Sequence, residues 1–402
     1  LAVAQTLAYG IDVGTTKVVA IAGRVDPRRG WVEVLSMGEA PSYGLKRGVV
    51  VDRKATADAV AEAMEACGVR GGRVTVGIAG SHISSFNTEV TLLNRGRNLM
   101  VTDRFVRRLE QEAHQLDLHE DEQVIHVVPR GYVLDGSEGV KNPEGLAARK
   151  VTMRAHVVSG ALSSIQNLLR AVEDCGVNVS RIVLEPLASA EACLLDADRE
   201  SGIVLLDMGG GTTDIATFYR GALTHTDVIP IGGESFTSDV AYGLKIPQHN
   251  AEELKLRYGT VLSSTVDPVA AVKLDDRHYN ASFISQILEY RAREVLDYVR
   301  DSLDKTMSRE LAPGGIALTG GGSLLDGMTG LTEEVLGMRA KTVSPRRLRG
   351  EVEPVQKPQY ATAVGLLYFS VRDDNPRSKG KGAGIYSFGS IVEAVKGWFR
   401  GR

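Results

Sequence analysis

Two stretches about half a chain apart carry the same unusual pattern, and few folds can use it twice. Residues 8–23 read AYGIDVGTTKVVAIAG and residues 203–218 read IVLLDMGGGTTDIATF. In each, an apolar strand ends on an Asp (Asp12, Asp207), a turn rich in Gly and Thr follows, and a second apolar strand returns. Glycines let the backbone of such a turn take positive φ and approach a phosphate closely. Its consecutive N–H groups form an anion nest. An Asp at the strand end suits Mg2+, which takes one or two carboxylates and fills its other positions with water and phosphate oxygens. The first turn offers Asp12, Gly14, Thr15, Thr16 and Lys17, and the second Asp207, Gly209, Gly210, Gly211, Thr212, Thr213 and Asp214. Either alone reads as readily as an ordinary Gly-rich β-turn. The matched pair predicts a duplicated domain that grips one nucleotide from both sides.

At 402 residues the chain can build two or more domains, each with its own core. A net charge of −3 and a pI near 6.3 carry no global signal for nucleic acid. Cys67, Cys175 and Cys193 are odd in number and lack metal-ligand spacing, so they read as reduced core residues of a cytosolic protein. No basic segment followed by an apolar one opens the chain, so no signal peptide is expected. No run approaches the ~18 apolar residues of a spanning helix.

Along the chain, residues 8–23 and 31–40 predict consecutive strands, 54–67 an amphipathic helix ending at Gly68, and 73–79 a buried strand. From 81 to 158 the composition becomes more charged, with short strands and one helix near 102–116, as in an inserted subdomain. The core pattern resumes with helix 163–175, strand 180–184 and helix 186–196, and the second half repeats the plan from Gly202. Residues 235–305 read as mainly helical, and 360–371 as an apolar closing helix.

Three further motifs bear on chemistry. In GIALTGGGSLLDGM (315–328) a buried strand runs into Gly320, Gly321 and Gly322, and Ser323 is placed to cap a helix. Bare backbone there accepts a flat ring or an α-phosphate, with the helix N-terminus facing the anion. In HNAEELKLRYG (249–259), Glu252 and Lys255 share a helix face and also suit a plain surface ion pair. Glu185, between a strand and Pro186, is placed to align an attacking water or reach a metal through one; it also suits a helix N-terminal carboxylate.

The tail is a separate unit. After Val371 the sequence RDDNPRSKGKGAG reads as a flexible polar linker. Beyond it Ile385, Phe388, Ile391, Val392, Val395, Trp398 and Phe399 recur at steps of three and four, one face of a helix. Lys396 and Arg400 fall off that face. Such a segment suits the headgroup boundary of an anionic membrane. The competing reading is a helix that docks back on its own domain or on a partner.

The order of these motifs resembles the actin-like ATPase superfamily over residues 8–80 and 160–371. The strings GIAGSHI (77–83), GGESFTSDVAYGLKIPQHNAEELKLRYG (232–259) and LTGGGSLLDG (318–327), with the tail, resemble the FtsA family of bacterial cell-division proteins. The resemblance implies an α/β fold: a duplicated actin-like (ribonuclease-H-like) ATPase clamp with a divergent inserted subdomain and a C-terminal amphipathic helix. It implies a first core from 8–80, 159–197 and 357–371, an assembly insertion at 81–158, and a second core from 198–230 and 312–356. A helical subdomain at 231–311, a linker at 372–384 and a membrane helix at 385–402 complete it. It implies ATP and Mg2+ as cofactors, with at most slow hydrolysis. Asp12, Gly14, Thr15, Thr16, Lys17, Gly209, Gly210, Gly211, Thr212, Thr213, Gly233, Glu252, Lys255, Gly320, Gly321, Gly322 and Ser323 would hold the nucleotide. Asp12 and Asp207 would hold the metal mainly through water, with Glu185 and Asp207 catalytic. The implied partners are further copies of itself in a filament, the C-terminal peptide of the tubulin-like FtsZ, an anionic membrane at its cytoplasmic face and other division proteins, with no nucleic acid. For the peptide, Arg291, Arg293 and Arg300 are candidates against a plain solvated basic face. A small-molecule kinase or a pilus-assembly ATPase is the alternative on the same fold.

Overall fold

The computed structural model describes residues 6–370, apart from 27–29, 117, 351 and 352, so the linker and tail predictions lie outside the described residues. The first half opens with β1 (Thr6–Val13), β2 (Lys17–Asp26), β3 (Trp31–Pro41), a small hairpin of β4 (Leu45–Lys46) and β5 (Val49–Val50), α1 (Arg53–Cys67) and β6 (Arg73–Ile78). The insertion holds β7 (Ile83–Leu93), α2 (Asp103–His114), β8 (Glu122–Leu134), β9 (Ser137–Val140) and β10 (Lys150–Ala161). Then come α3 (Leu162–Glu173), β11 (Asn178–Leu184), α4 (Glu185–Cys193) and α5 (Asp196–Ser201). The second half runs β12 (Ile203–Met208), β13 (Thr213–Tyr219), β14 (Ala222–Ile229), α6 (Gly233–Leu244), α7 (Gln248–Tyr258), β15 (Ala271–Leu274), β16 (Arg277–Asn280) and α8 (Ala281–Lys305). It closes with β17 (Ile316–Thr319), α9 (Met328–Leu336), β18 (Ala340–Thr342), β19 (Leu348–Arg349) and α10 (Ala361–Ser370).

The duplication is explicit in the sheets. The first is ordered β11-β6-β1-β2-β3-β19 and the second β14-β13-β12-β17-β18. In each, three antiparallel strands are followed by parallel neighbours on the side of the first strand. The central strands are buried on both faces, which is why β2 and β12 read as continuous apolar runs instead of alternating ones. Local signals set the ends of α1. The Asp52 carboxylate accepts the Ala55 N–H at 3.0 Å, and Gly68 closes the helix at φ 78°.

Two helices join the halves where the chain crosses between them. α4 and α10 lie back to back, and a Cβ at Gly365 would overlap the Ala188 carbonyl, so that position admits only Gly. Both helices are buried almost throughout and belong to one core with residues of both sheets.

The insertion is a four-stranded sheet, β7-β10-β8-β9, with α2 covering one face through Leu109 and Ala113. Its three main strands run 11 to 13 residues and are not the short ones expected. Pro129 is accommodated within β8 because it sits where the β8–β10 register shifts, at a bulge that needs no ladder donor. The insertion also grips the outer strand of the second half. Ser85 Oγ donates to Thr226 O at 2.8 Å and Asn87 Nδ2 to Thr224 O at 3.1 Å. Buried His156 bridges Asn87 Oδ1 and Thr226 Oγ1, both at 2.9 Å. Among the described residues no helix is long and apolar enough to cross a membrane.

Candidate functional site

β1 and β12 end at the same place between the halves, and their turns interlock. Gly14 N–H bonds Lys17 O at 3.0 Å, and Gly209 N–H bonds Thr212 O at 2.9 Å. None of these turn glycines has positive φ. Their reason is close approach. A Cβ at Gly210 would overlap the Thr16 side chain, and one at Gly211 the Thr15 side chain. The two Thr side chains of the first turn therefore occupy the space that side chains on the second would fill. Behind the second turn, Gly233 N–H bonds Gly209 O at 2.9 Å and Glu234 N–H bonds Gly210 O at 2.8 Å, tying the start of α6 to it. Thr15 Oγ1 also accepts the Gly48 N–H at 3.2 Å, which fastens the β4–β5 hairpin to the first turn.

Four carboxylates converge at this junction. Burial pushes Asp12 up from 3.8 to about 7, with Asp207 adding to the rise and Lys17 opposing it. Burial also raises Glu185 well above its ordinary value, and the charges of Asp12, Asp214 and Asp207 raise it further. Asp214 is raised by burial and by Asp207, and only the Thr212 hydroxyl, at 3.2 Å, opposes this by hydrogen bonding. The other Asp214 oxygen is buried and has no hydrogen-bond partner among the described residues. Asp207 is raised by burial and partly relieved by hydrogen bonds from Ser189 and Thr362. Such a set is short of positive charge and fits a cation. Among the described residues, however, no three His, Cys, Asp or Glu side chains converge closely enough to cage a metal directly. The donor set therefore fits a hydrated divalent ion that completes its shell with phosphate oxygens.

The third glycine cluster lies beside the second turn because β17 pairs in parallel with β12, placing Thr319 opposite Asp207. Gly320 has φ 79°, and a Cβ there would overlap Asp207 and the Met208 carbonyl. The expected cap is corrected: Ser323 sits inside a 3-10 turn, Gly321–Leu324, and its hydroxyl donates to Gly320 O at 2.7 Å. The helix α9 begins later, with Gly327 before it and no side-chain cap, because the Ser hydroxyl is consumed in holding the glycine turn.

Glu252 and Lys255 pair at 2.7 Å, and Lys255 also donates to Gly233 O at 3.1 Å and Thr237 Oγ1 at 2.8 Å. This is a part-buried knot between α6 and α7, anchored at Gly233 through a largely buried Lys255, with Glu252 on its exposed side. Lys17 pairs with Glu39 at 3.3 Å and lies 4.1 Å from the Tyr360 ring centre, while its charge still acts on Asp12. Arg291 is held by Asp239 and Glu294, Arg293 by Glu289 and Glu334, and Arg300 by Asp297, so none presents a bare cation. Sequence reasoning missed Ser189, Thr362 and Thr237, and gave Asp214 no role of its own. A hydroxyl within a largely apolar helix was the available signal for the first two.

A duplicated sheet, crossing helices and a junction of two Asp–Gly–Thr turns define an actin-like ATPase fold. Solved structures agree. A type IV pilus biogenesis complex, PilM-PilN, matches with a TM-score of 0.70 over 92% of this chain and 100% of that one, at 18% identity. MreB5 of Spiroplasma citri bound to ADP matches with a TM-score of 0.54 over 89% and 94%, at 14% identity. Within that class the chain belongs to the FtsA family of cell-division proteins. The family model "Cell division protein FtsA" matches residues 204–365, and "SHS2 domain inserted in FTSA" matches 80–159. The cell division protein FtsA of Pseudomonas aeruginosa is 35% identical, covering 98% of this chain and 97% of its own length. That of Escherichia coli K12 is 30% identical with 98% of each covered, and that of Bacillus subtilis 30% with 94% and 86%.

Proposed function

We propose that the chain binds Mg·ATP between its two turns and polymerises on the cytoplasmic face of the cell membrane at the division site. There it tethers the FtsZ ring. The observation that carries the nucleotide half is the junction itself: two interlocked Gly–Thr turns beside four carboxylates whose ionised forms burial disfavours, with the charge of Lys17 offsetting this only in part at Asp12. In this reading Asp12 and Asp207 hold a hydrated Mg2+, and the backbone N–H groups of both turns take the phosphates. Gly320, Gly321 and Gly322 back the adenosine, the Glu252–Lys255 knot meets the ribose, and Glu185 orients water. Bound Mg2+ neutralises charge on the phosphates. The MreB5 neighbour, also solved with AMPPNP, supports a nucleotide in this class of cleft.

The membrane half rests on the sequence of residues 385–402 and on the family. A single amphipathic tail binds weakly, and a polymer presenting many tails binds by avidity. The insertion is the assembly surface. The helical segment 231–311 takes the FtsZ peptide, and other division proteins complete the partners.

Sedimentation with anionic vesicles tests this reading. Pelleting of the full chain should rise with Mg·ATP and fall with salt, and Trp398→Glu should abolish it while leaving ATP binding intact. Unchanged pelleting of Trp398→Glu would return the tail to a docking helix.

A further inference from the structure

Ser189 and Thr362 are hydroxyls in places that favour neither. α4 reads EPLASAEAC and α10 reads ATAVGLLYFS, and both helices are buried almost throughout. Ser189 is fully buried and Thr362 nearly so. A buried hydroxyl on a helix usually spends its proton on the carbonyl one turn back. Thr332 does this in α9, donating to Met328 O at 2.8 Å. Ser189 and Thr362 do not. Ser189 Oγ lies 2.5 Å from Asp207 Oδ2, Thr362 Oγ1 lies 3.3 Å from the same oxygen, and the two hydroxyls are 2.9 Å apart. Sequence separations of 18, 155 and 173 residues make this a tertiary arrangement.

The geometry has two consequences. First, one carboxylate oxygen is held by hydroxyls from two different helices, while Gly320 backs the same carboxylate with bare backbone. Asp207 is thereby fixed in one rotamer. Second, the two helices are the crossings between the halves. Any change in the angle between halves moves α4 and α10 relative to β12 and strains the three-way contact. A ligand that pulls on Asp207 is therefore felt at the crossing.

We propose that Ser189 and Thr362 are positioning residues that set Asp207 for a metal–nucleotide ligand and link that ligand to the crossing helices. This rests on the nucleotide reading above and deepens it. Partners of metal-directed carboxylates commonly contribute 10–100-fold to affinity.

The test uses the full chain with Thr362→Val, which keeps shape and loses the hydroxyl, Thr362→Ser, which keeps the hydroxyl, and Ser189→Ala. Affinity for ATP is measured with Mg2+ and with EDTA, and amide exchange of residues 361–370 is followed with and without Mg·ATP. Thr362→Val and Ser189→Ala should weaken Mg·ATP binding by about tenfold or more and leave metal-free binding nearly unchanged. Thr362→Ser should stay within about twofold of wild type. Mg·ATP should slow exchange in α10 of the wild type and of Thr362→Ser, but not of Thr362→Val. Wild-type affinity in Thr362→Val would overturn the positioning role. Equal weakness in Thr362→Ser and Thr362→Val would reduce it to packing. A wild type that binds no Mg·ATP would remove the nucleotide reading itself, and this role with it. If Ser189→Ala fails to fold, the Thr362 pair decides alone.

Discussion

Replacing Asp12 with Asn should stabilise the chain in the absence of nucleotide while destroying its Mg·ATP response. Asp12 sits partly buried beside other carboxylates, and its carboxyl rises from 3.8 to about 7. A change of that size makes the ionised form costlier in the folded chain than in the unfolded one by up to about 4 kcal/mol. The sign follows from proton counts. Between pH 4 and 7 the folded chain holds this proton and the unfolded chain releases it, so stability falls as pH rises through that window. Above pH 7 the loss is complete. Asp12→Asn removes the titrating group. Its gain should be near zero at pH 4 and should grow to a few kcal/mol at pH 8, the attraction to Lys17 being already included in the rise to about 7. Urea unfolding of nucleotide-free protein at three pH values measures it. A gain independent of pH, or none at pH 8, would refute the reasoning. The same variant should lose most of the Mg·ATP-induced shift, which separates a strained ligand site from a structural Asp.

Two further outcomes follow from named contacts. Gly211→Ala places a methyl in the space of the Thr15 side chain, so it should cost about 1–3 kcal/mol and weaken ATP binding. Adding Thr15→Ala should recover much of that stability in urea unfolding; a double variant no more stable than the single would contradict the interlock. His156 is held neutral down to about pH 3, by burial first and then by His225 and Arg130. An unfolded His protonates near 6.5, so wild type loses about 1.4 kcal/mol per pH unit below that value relative to a non-titrating replacement. His156→Gln should therefore look worst at pH 8 and approach wild type at pH 5.5, whereas a constant difference would place His156 in solvent.

Much of the clamp was legible because its signals are local. Asp12 and Asp207 announce themselves by strand, turn and strand within some fifteen residues. Gly68 ends a helix by hydrogen bonds to the turn just before it. What was not legible was tertiary. Ser189 meets Asp207 and Thr362 across folds of the chain, and no periodicity reports that. The turn glycines were expected to supply positive φ and instead make room for Thr15 and Thr16, a demand set by the other half of the molecule. Ser323 had the composition of a cap, but only geometry reveals that its proton goes to Gly320. The β15–β16 hairpin was hidden inside a segment read as helical because each strand has only four residues.

The central claim is that one Mg·ATP binds between the turns of Asp12 and Asp207. Its most direct test is thermal unfolding of wild type and Asp207→Ala at matched Mg2+, with ATP titrated. Wild type should gain stability as RT ln(1 + [ATP]/Kd), about 2.7 kcal/mol at a hundredfold excess over Kd. Asp207→Ala should show little or none of that gain at the same concentrations. Equal ATP-induced shifts in both proteins would place the nucleotide elsewhere and contradict the claim.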